Sequence, residues 1–233
     1  MNGWNVAAAL GAVALLLGQA PAFAHRGEHK PVVARPVMDY TPPPAGSYTL
    51  HVIQSAPDGR VVDAGGRARS LTAYTRGRIT LLSLIYTYCT EPTGCALAYE
   101  TQIDLRKRIV ADPVLRGRAQ FVSLSFDPLN DRPETMKSYG GRNAQADGPL
   151  PWHFLTTSSV KALKPILDGL GQEIEVEVDG RGKPTRTISH MLKLFLIDRE
   201  GRVREIYSTD FLHVEAMLND IKTLVLEEDG RRP

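Results

Sequence analysis

Two cysteines and one histidine are the residues of this chain whose types and positions can do chemistry. The chain of 233 residues has only two cysteines, Cys89 and Cys95, separated by five residues from Thr90 to Gly94. A proline and a glycine within that stretch allow it to fold back, so the two sulfur atoms can meet or face one metal ion. Thiolates attack disulfides and bind soft metal ions. Cu(I) is the soft ion that suits two thiolates and one imidazole.

The elements around the cysteines predict a strand followed by a helix. Ile79 to Tyr88 is a continuous apolar run rich in β-formers, which is typical of a strand covered on both faces. Cys89 follows that run directly, and a helical pattern extends from about Cys95 to Val110. A thiol at a helix N-terminus faces the positive end of the helix dipole, which favours the thiolate.

A structural disulfide between the two cysteines is the simpler alternative. A disulfide that closes a loop this short would contribute only about 2.4 kcal/mol to the stability of the folded state in the chain-entropy model. Hydrophobic residues make up 42% of the chain and charged residues 23%, so a core can form without such a bond. Zinc is a weaker alternative, because zinc sites usually have four protein ligands, or three and a water, and no general base lies near the cysteines in sequence.

The order of the remaining elements predicts an α/β, thioredoxin-like fold with a central mixed sheet flanked by helices, a late β-hairpin and a C-terminal helix. Further elements are expected in this order: a short strand at Tyr48 to Val52, a buried strand at Gln120 to Phe126, a helix opened by Asp131 to Glu134, a helix from Ser158 or Ser159 to Gly169, a half-buried strand at Glu173 to Val178, a hairpin of Met191 to Ile197 and Val203 to Tyr207, and a helix from Asp210 to near Leu226.

The N-terminus predicts export. Val6 to Gly18 is an uncharged apolar run, too short for a typical membrane span, and it precedes the small-x-small pattern Ala22-Phe23-Ala24. We therefore expect a periplasmic protein, either soluble or anchored to the inner membrane through an uncleaved N-terminus. The expected organisation is a signal peptide or anchor at 1–24, a proline-rich flexible tether at 25–46, a thioredoxin-like domain at 47–226 and a disordered tail at 227–233.

The net charge of +2 and the scattered basic residues argue against a nucleic-acid partner, which would need a basic stripe.

Four segments together resemble the Sco (SenC) proteins, which are thioredoxin-fold copper chaperones and thiol-disulfide reductases of the periplasm and the mitochondrial inner membrane. The resemblance covers roughly Ser47 to Val225. The matching segments are LIYTYC ending at Cys89, SFDPLNDRPETMKSYG at Ser125 to Gly140, WHFLT at Trp152 to Thr156, and ISHMLKLFLIDREGRVREIY at Ile188 to Tyr207.

The resemblance implies that Cys89, Cys95 and His190 bind one copper ion. The usual family motif has three residues between its cysteines, whereas this chain has five, and Thr90 stands where a proline often follows the first cysteine. The match to the family's Asp-Pro segment suggests that Asp127 lies near the site and orients a ligand, although a turn or capping role is equally expected.

His190 lies directly before the predicted strand at Met191 to Ile197. In thioredoxins, the loop before the corresponding strand carries a cis-proline beside the disulfide. The nearest proline here is Pro184, so the loop expected beside the cysteines offers an imidazole instead, and imidazole is a good copper ligand.

Three functions are compatible with these residues. By resemblance, the first is a copper metallochaperone for the dinuclear copper centre of cytochrome c oxidase, with the copper-site subunit or another exported copper protein as its partner. The second is a thiol-disulfide oxidoreductase that uses Cys89 and Cys95, is recycled by a periplasmic thiol reductant, and does not need His190. A thiol peroxidase is the third, because Thr87 lies two residues before Cys89, but the rest of that pattern does not match.

Overall fold

The computed structural model describes residues 40–89 and 91–231. The expected signal segment at 1–24 and residues 25–39 of the expected tether lie outside this range, as do Thr90 and residues 232–233. Among the described residues, no helix combines the length and the apolar character needed to cross a bilayer.

Within the described residues, ten strands form one large sheet and one two-stranded sheet. Their bounds are β1 Gln54–Ser55, β2 Arg60–Asp63, β3 Ala68–Ser70, β4 Ile79–Ile85, β5 Ala119–Ser125, β6 Trp152–Thr156, β7 Ile174–Val178, β8 Pro184–His190, β9 Leu194–Ile197 and β10 Arg202–Tyr207. The large sheet has the order β1-β10-β9-β4-β5-β6-β2-β3, and β7 pairs with β8 in the second sheet.

The centre of the large sheet is mixed, as predicted. β4 and β5 run parallel with Ile79 opposite Ala119, and β5 and β6 are also parallel, whereas β9 joins β4 antiparallel. Every residue of β4 and β5 is buried, which explains the long apolar run at β4.

In the part of the chain that the structure describes, five α-helices flank this sheet. Their bounds are α1 Thr72–Thr75, α2 Leu97–Ala111, α3 Pro133–Gly140, α4 Val160–Gly169 and α5 Val214–Glu228. The Ser159 hydroxyl caps α4 by accepting from the Ala162 N–H at 3.2 Å, as the sequence predicts. An ion pair between Arg108 and Glu215 joins α2 to α5. The fold is therefore the predicted α/β arrangement with its late hairpin, β9–β10, and C-terminal helix.

Several predicted boundaries were wrong. The first strand is β1, not Tyr48 to Val52. The last helix begins after His213, whose ring caps it in place of Asp210, and continues to Glu228 in the segment expected as a disordered tail. The end of the expected tether packs on α5, because the Gly46 N–H donates to Thr223 Oγ1 at 2.9 Å.

The hairpin β7–β8 was only half predicted. β8 was missed because Pro184–His190 is mostly polar and lacks an apolar alternation. β7 was expected to bury one face, but Val176 is 47% exposed and Val178 is 60% exposed.

Candidate functional site

The cysteine loop leaves the central sheet where β4 ends. The Cys89 N–H donates to the Tyr86 carbonyl at 3.2 Å, which turns the chain away from the strand. Pro92–Ala96 then forms one wide helical turn that leads into α2. A Cβ atom at Gly94 would lie 3.3 Å from Glu91 Cβ and 3.5 Å from Cys89 Sγ, so the main chain at Gly94 passes beside that sulfur. The loop therefore carries both cysteines at one end of the buried sheet.

The two cysteines are free thiols in different environments. Cys89 is partly exposed, whereas Cys95 is 1% exposed. The Cys95 thiol donates a hydrogen bond to Cys89, and this is the largest influence that lowers the pKa of Cys89 from 9.0 to about 5. The main-chain N–H groups of Cys95 and Glu91 and the Tyr86 hydroxyl also favour the Cys89 thiolate, against the opposing effect of burial.

The same pairing raises the pKa of Cys95, and burial raises it further. The sequence placed the thiolate at the cysteine that begins the helix. The structure places it instead on Cys89, because Cys95 is buried and serves as the donor. The pair thus consists of one reactive thiolate and one thiol that retains its proton.

His190 ends β8 and is held by its own strand. Its Nδ1 lies 3.0 Å from the Ile188 carbonyl oxygen. Because a carbonyl only accepts, Nδ1 carries the hydrogen, and in the neutral ring Nε2 keeps its lone pair. Nε2 is buried and has no hydrogen-bond partner. A histidine that donates one N–H to a carbonyl and leaves the other nitrogen free has the arrangement seen in metal-ligating histidines.

Aromatic rings enclose the His190 imidazole. The Phe126 ring lies edge-on with its centroid 4.6 Å away, and the Tyr86 ring lies edge-on at 5.9 Å. These contacts restrict the orientation of the imidazole.

One cavity of about 320 Å³ brings Cys89 and His190 together, with Tyr86, Glu91 and Gly94 among the other lining residues. Cys95 does not line this cavity; it contacts Cys89 by hydrogen bonding. Among residues 40–89 and 91–231, no three His, Cys, Asp or Glu side chains form a ready-made metal cluster. The three predicted ligands therefore converge on one region without forming a closed ligand set.

Asp127 lies at the turn that follows β5. Its carboxylate accepts from Asn130 Nδ2 at 3.0 and 2.8 Å, and its N–H donates to Ser125 Oγ at 3.0 Å. Within the described residues, none of its hydrogen bonds reaches Cys89, Cys95 or His190.

Asp131 is the carboxylate that contacts the approach to the cysteine loop, and the sequence reasoning missed this role. It is fully buried and accepts from the Thr87 N–H at 2.9 Å and the Thr87 hydroxyl at 2.5 Å. Ser125 Oγ donates to it at 2.7 Å. The sequence places Asp131 only at a helix start, and no local pattern distinguishes a buried acid there.

A cation–π contact joins the hairpin to the cysteine loop. The Arg186 guanidinium lies 4.1 Å from the centroid of the Tyr88 ring, next to Cys89 in the chain. This contact holds β8, which carries His190, against the loop that carries the cysteines.

Comparisons with known proteins agree with this architecture. The family model described as SCO1/SenC matches residues 57–226. Copper-bound ScoI of Arabidopsis thaliana has a TM-score of 0.60 at 14% identity, over 74% of this chain and 98% of that one. A SCO1/SenC family lipoprotein from Bacillus anthracis str. Ames has a TM-score of 0.59 at 21% identity, over 73% and 95%.

A third similar structure is BsSco, described as having a disulfide switch and as a member of the Sco family of cytochrome c oxidase assembly proteins. It has a TM-score of 0.55 at 20% identity, over 76% of this chain and 97% of that one. At such identities these structures establish the shared fold. A search of curated protein sequences gave no match.

Proposed function

Because this chain belongs to the SCO1/SenC family, we propose that it is an exported copper chaperone that carries copper on Cys89, Cys95 and His190 and helps to assemble the copper site of cytochrome c oxidase. The observation that carries the proposal is the buried, unpartnered Nε2 of His190, which belongs to a residue lining the same cavity as Cys89. A buried polar nitrogen without a partner costs free energy, and a metal ion would compensate that cost.

The donor set fits Cu(I). Two sulfur ligands and one imidazole are soft or borderline donors. Cu(I) prefers such donors, whereas magnesium and calcium prefer oxygen ligands. Cys89 is already a thiolate near neutral pH because its pKa is about 5. Cys95 would have to lose its proton when copper binds, so copper uptake would release protons and strengthen with rising pH.

The surrounding residues would prepare the site before copper arrives. The Ile188 carbonyl holds the His190 tautomer with Nε2 free, and the rings of Tyr86 and Phe126 restrict the orientation of the imidazole. Asp131 holds the chain just before Cys89.

The relatives support this proposal and its location outside the cytoplasm. One similar structure holds copper, one is described as a lipoprotein, and one is described as a cytochrome c oxidase assembly protein. The proposed partner is the oxidase subunit that receives copper or another exported copper protein, with a thiol reductant that keeps the cysteines reduced. The N-terminal segment 1–24 would direct export or serve as the membrane anchor.

A thiol-disulfide oxidoreductase is the second candidate, favoured by the opposite pKa shifts of the two cysteines. The Cys89 thiolate would attack a client disulfide, forming a mixed disulfide and releasing one client thiolate. Cys95, after losing its proton, would attack Cys89 and release the second client thiolate, leaving a Cys89–Cys95 disulfide. The thiol reductant would then return both cysteines to the reduced form.

Anaerobic titration of the reduced full chain with Cu(I) against a competing chelator separates the two candidates. We expect Cys89→Ser, Cys95→Ser and His190→Ala each to weaken Cu(I) binding by at least about tenfold. His51→Ala is the matched control, because His51 is exposed. If His190→Ala binds Cu(I) as tightly as the His51 control does, the three-ligand proposal is wrong and the oxidoreductase becomes the better assignment.

A further inference from the structure

The cavity beside Cys89 is lined by two glutamates. Glu91 of the cysteine loop and Glu177 of β7 both line it, although they are distant in sequence. No lysine or arginine is among its described lining residues. Lys164 and Lys193 line a separate groove, which runs against α4. The cavity therefore presents two carboxylates to any reactant that enters it, without a lining cation to balance them.

Glu91 begins next to the reactive sulfur. Its main-chain N–H donates to Cys89. A Cβ atom at Gly94 would lie 3.3 Å from Glu91 Cβ and 3.5 Å from Cys89 Sγ, so at most about 7 Å separates those two atoms. The Glu91 carboxylate accepts from the Thr93 hydroxyl at 2.9 Å. That donor is neutral, so the hydrogen bond holds the carboxylate at the loop and leaves its negative charge in place.

The charges of both glutamates are unpaired in the part of the chain that the structure describes. Neither Glu91 nor Glu177 has an ion pair there, and both are exposed. Arg186 is the cation that contacts the cysteine loop, but its guanidinium lies over the Tyr88 ring and it does not line the cavity.

Cys89 is partly exposed and lines this cavity. A reactant that approaches the sulfur through the cavity therefore passes the two carboxylates. A cleft lined by charges of one sign raises the local concentration of oppositely charged reactants and lowers that of like-charged ones. The rate at which Cys89 attacks a disulfide should consequently depend on the charge that the disulfide carries.

We propose that Glu91 and Glu177 select the disulfides with which Cys89 reacts, favouring those flanked by positive charge and excluding anionic ones such as glutathione disulfide. The Cys89 thiolate attacks one disulfide sulfur, a new S–S bond forms as the old one breaks, and one thiolate leaves. Cys95 then loses its proton to solvent and displaces the second thiolate, so the cysteine pair supplies both electrons. The inference rests on the oxidoreductase candidate and does not require copper.

Three small disulfides of different charge test this proposal on the reduced, metal-free full chain. They are cystamine, which is cationic, bis(2-hydroxyethyl) disulfide, which is uncharged, and glutathione disulfide, which is anionic. Reacted chain is quantified by mass spectrometry after acid quenching. Each rate is divided by the rate with the uncharged disulfide and by the same ratio for 2-mercaptoethanol, so differences in intrinsic reactivity cancel. Cystamine should then exceed glutathione disulfide by at least about tenfold, and salt should reduce this selectivity.

Substitutions that remove only charge provide the matched variants. Glu91→Gln with Glu177→Gln keeps the size of both side chains and an acceptor oxygen for Thr93. In this double variant the selectivity should fall on the order of tenfold, because the normalised rate falls with cystamine and rises with glutathione disulfide. A packing defect would not shift these two rates in opposite directions. Glu91→Asp with Glu177→Asp keeps the charge and should retain most of the selectivity.

Glu200→Gln is the control for a glutamate outside the cavity. Glu200 is exposed in the turn between β9 and β10. Thr80, near the start of β4, pairs with Ile197 at the end of β9. The turn therefore lies at the opposite end of the sheet from the cysteine loop, and this variant should keep the selectivity of the unmodified chain.

Two results would overturn the proposal alone. They are equal normalised rates for cystamine and glutathione disulfide, and unchanged selectivity in the double glutamine variant when circular dichroism shows that it is folded. No reaction of Cys89 with any of the three disulfides would overturn both this proposal and the oxidoreductase candidate. Failure of the selectivity and failure of the underlying reaction are therefore distinguishable.

Discussion

Replacing Cys95 with alanine removes the donor that contributes most to the low pKa of Cys89. We expect the pH midpoint for alkylation of Cys89 to rise from about 5 toward the ordinary value of 9.0. The midpoint should stop short of that value, because the main-chain N–H of residue 95, the Glu91 N–H and the Tyr86 hydroxyl still favour the thiolate.

The size of the effect determines which quantity must be measured. At pH 7 a thiol with a pKa of about 5 is about 99% thiolate, and one with a pKa of about 9 is about 1% thiolate, so the thiolate fraction falls at most about hundredfold. A thiolate whose pKa is higher by about 4 is also more nucleophilic, by about sixtyfold, for a Brønsted coefficient near 0.45. The two effects nearly cancel at pH 7, so a single rate there is uninformative.

The assay is therefore the full pH profile of iodoacetamide alkylation, with the modified Cys89 peptide quantified by mass spectrometry. Cys95→Ser is the matched control, because a hydroxyl can still donate to Cys89 and should keep the midpoint close to that of the unmodified chain. The reasoning fails if Cys95→Ala keeps the original midpoint, or if Cys95→Ser raises it as far as alanine does.

Two further predictions concern buried carboxylates. Asp131→Ala leaves a main-chain N–H and two hydroxyls without their acceptor, and urea unfolding should show a loss of about 2 to 4 kcal/mol, whereas the exposed Asp147→Ala should change stability by less than about 0.5 kcal/mol. Burial raises the pKa of Asp220, which accepts from the hydroxyls of Tyr48 and Tyr207. A raised carboxyl pKa gives stability that is present below the unfolded pKa of 3.8 and is lost as pH rises through the folded value. The chain should therefore lose stability relative to Asp220→Asn as pH rises above 3.8, and a difference in urea midpoint that stays constant during this rise would contradict this.

The elements predicted most accurately are those whose burial is complete. β4 and β5 are covered on both faces, so nearly all of their residues are apolar or small, and this requirement is visible in the chain itself. The start of α4 was also predictable, because its Ser159 cap acts over three residues. The boundaries of β1, β8 and α5 depend on strand partners or on packing against segments that are distant in sequence. They were therefore predicted incorrectly or missed.

The candidate site also has features that the sequence determines and features that depend on the tertiary structure. The residue types and their order along the chain determined that Cys89 follows a buried strand, that Cys95 precedes a helix, and that a histidine comes late. Only the tertiary structure decided which thiol is the thiolate, because that depends on the burial of Cys95 and on its hydrogen bond to Cys89. The free Nε2 of His190 likewise depends on three-dimensional contacts. Local propensities act over a few residues, whereas burial and hydrogen-bond geometry arise only when distant segments pack together.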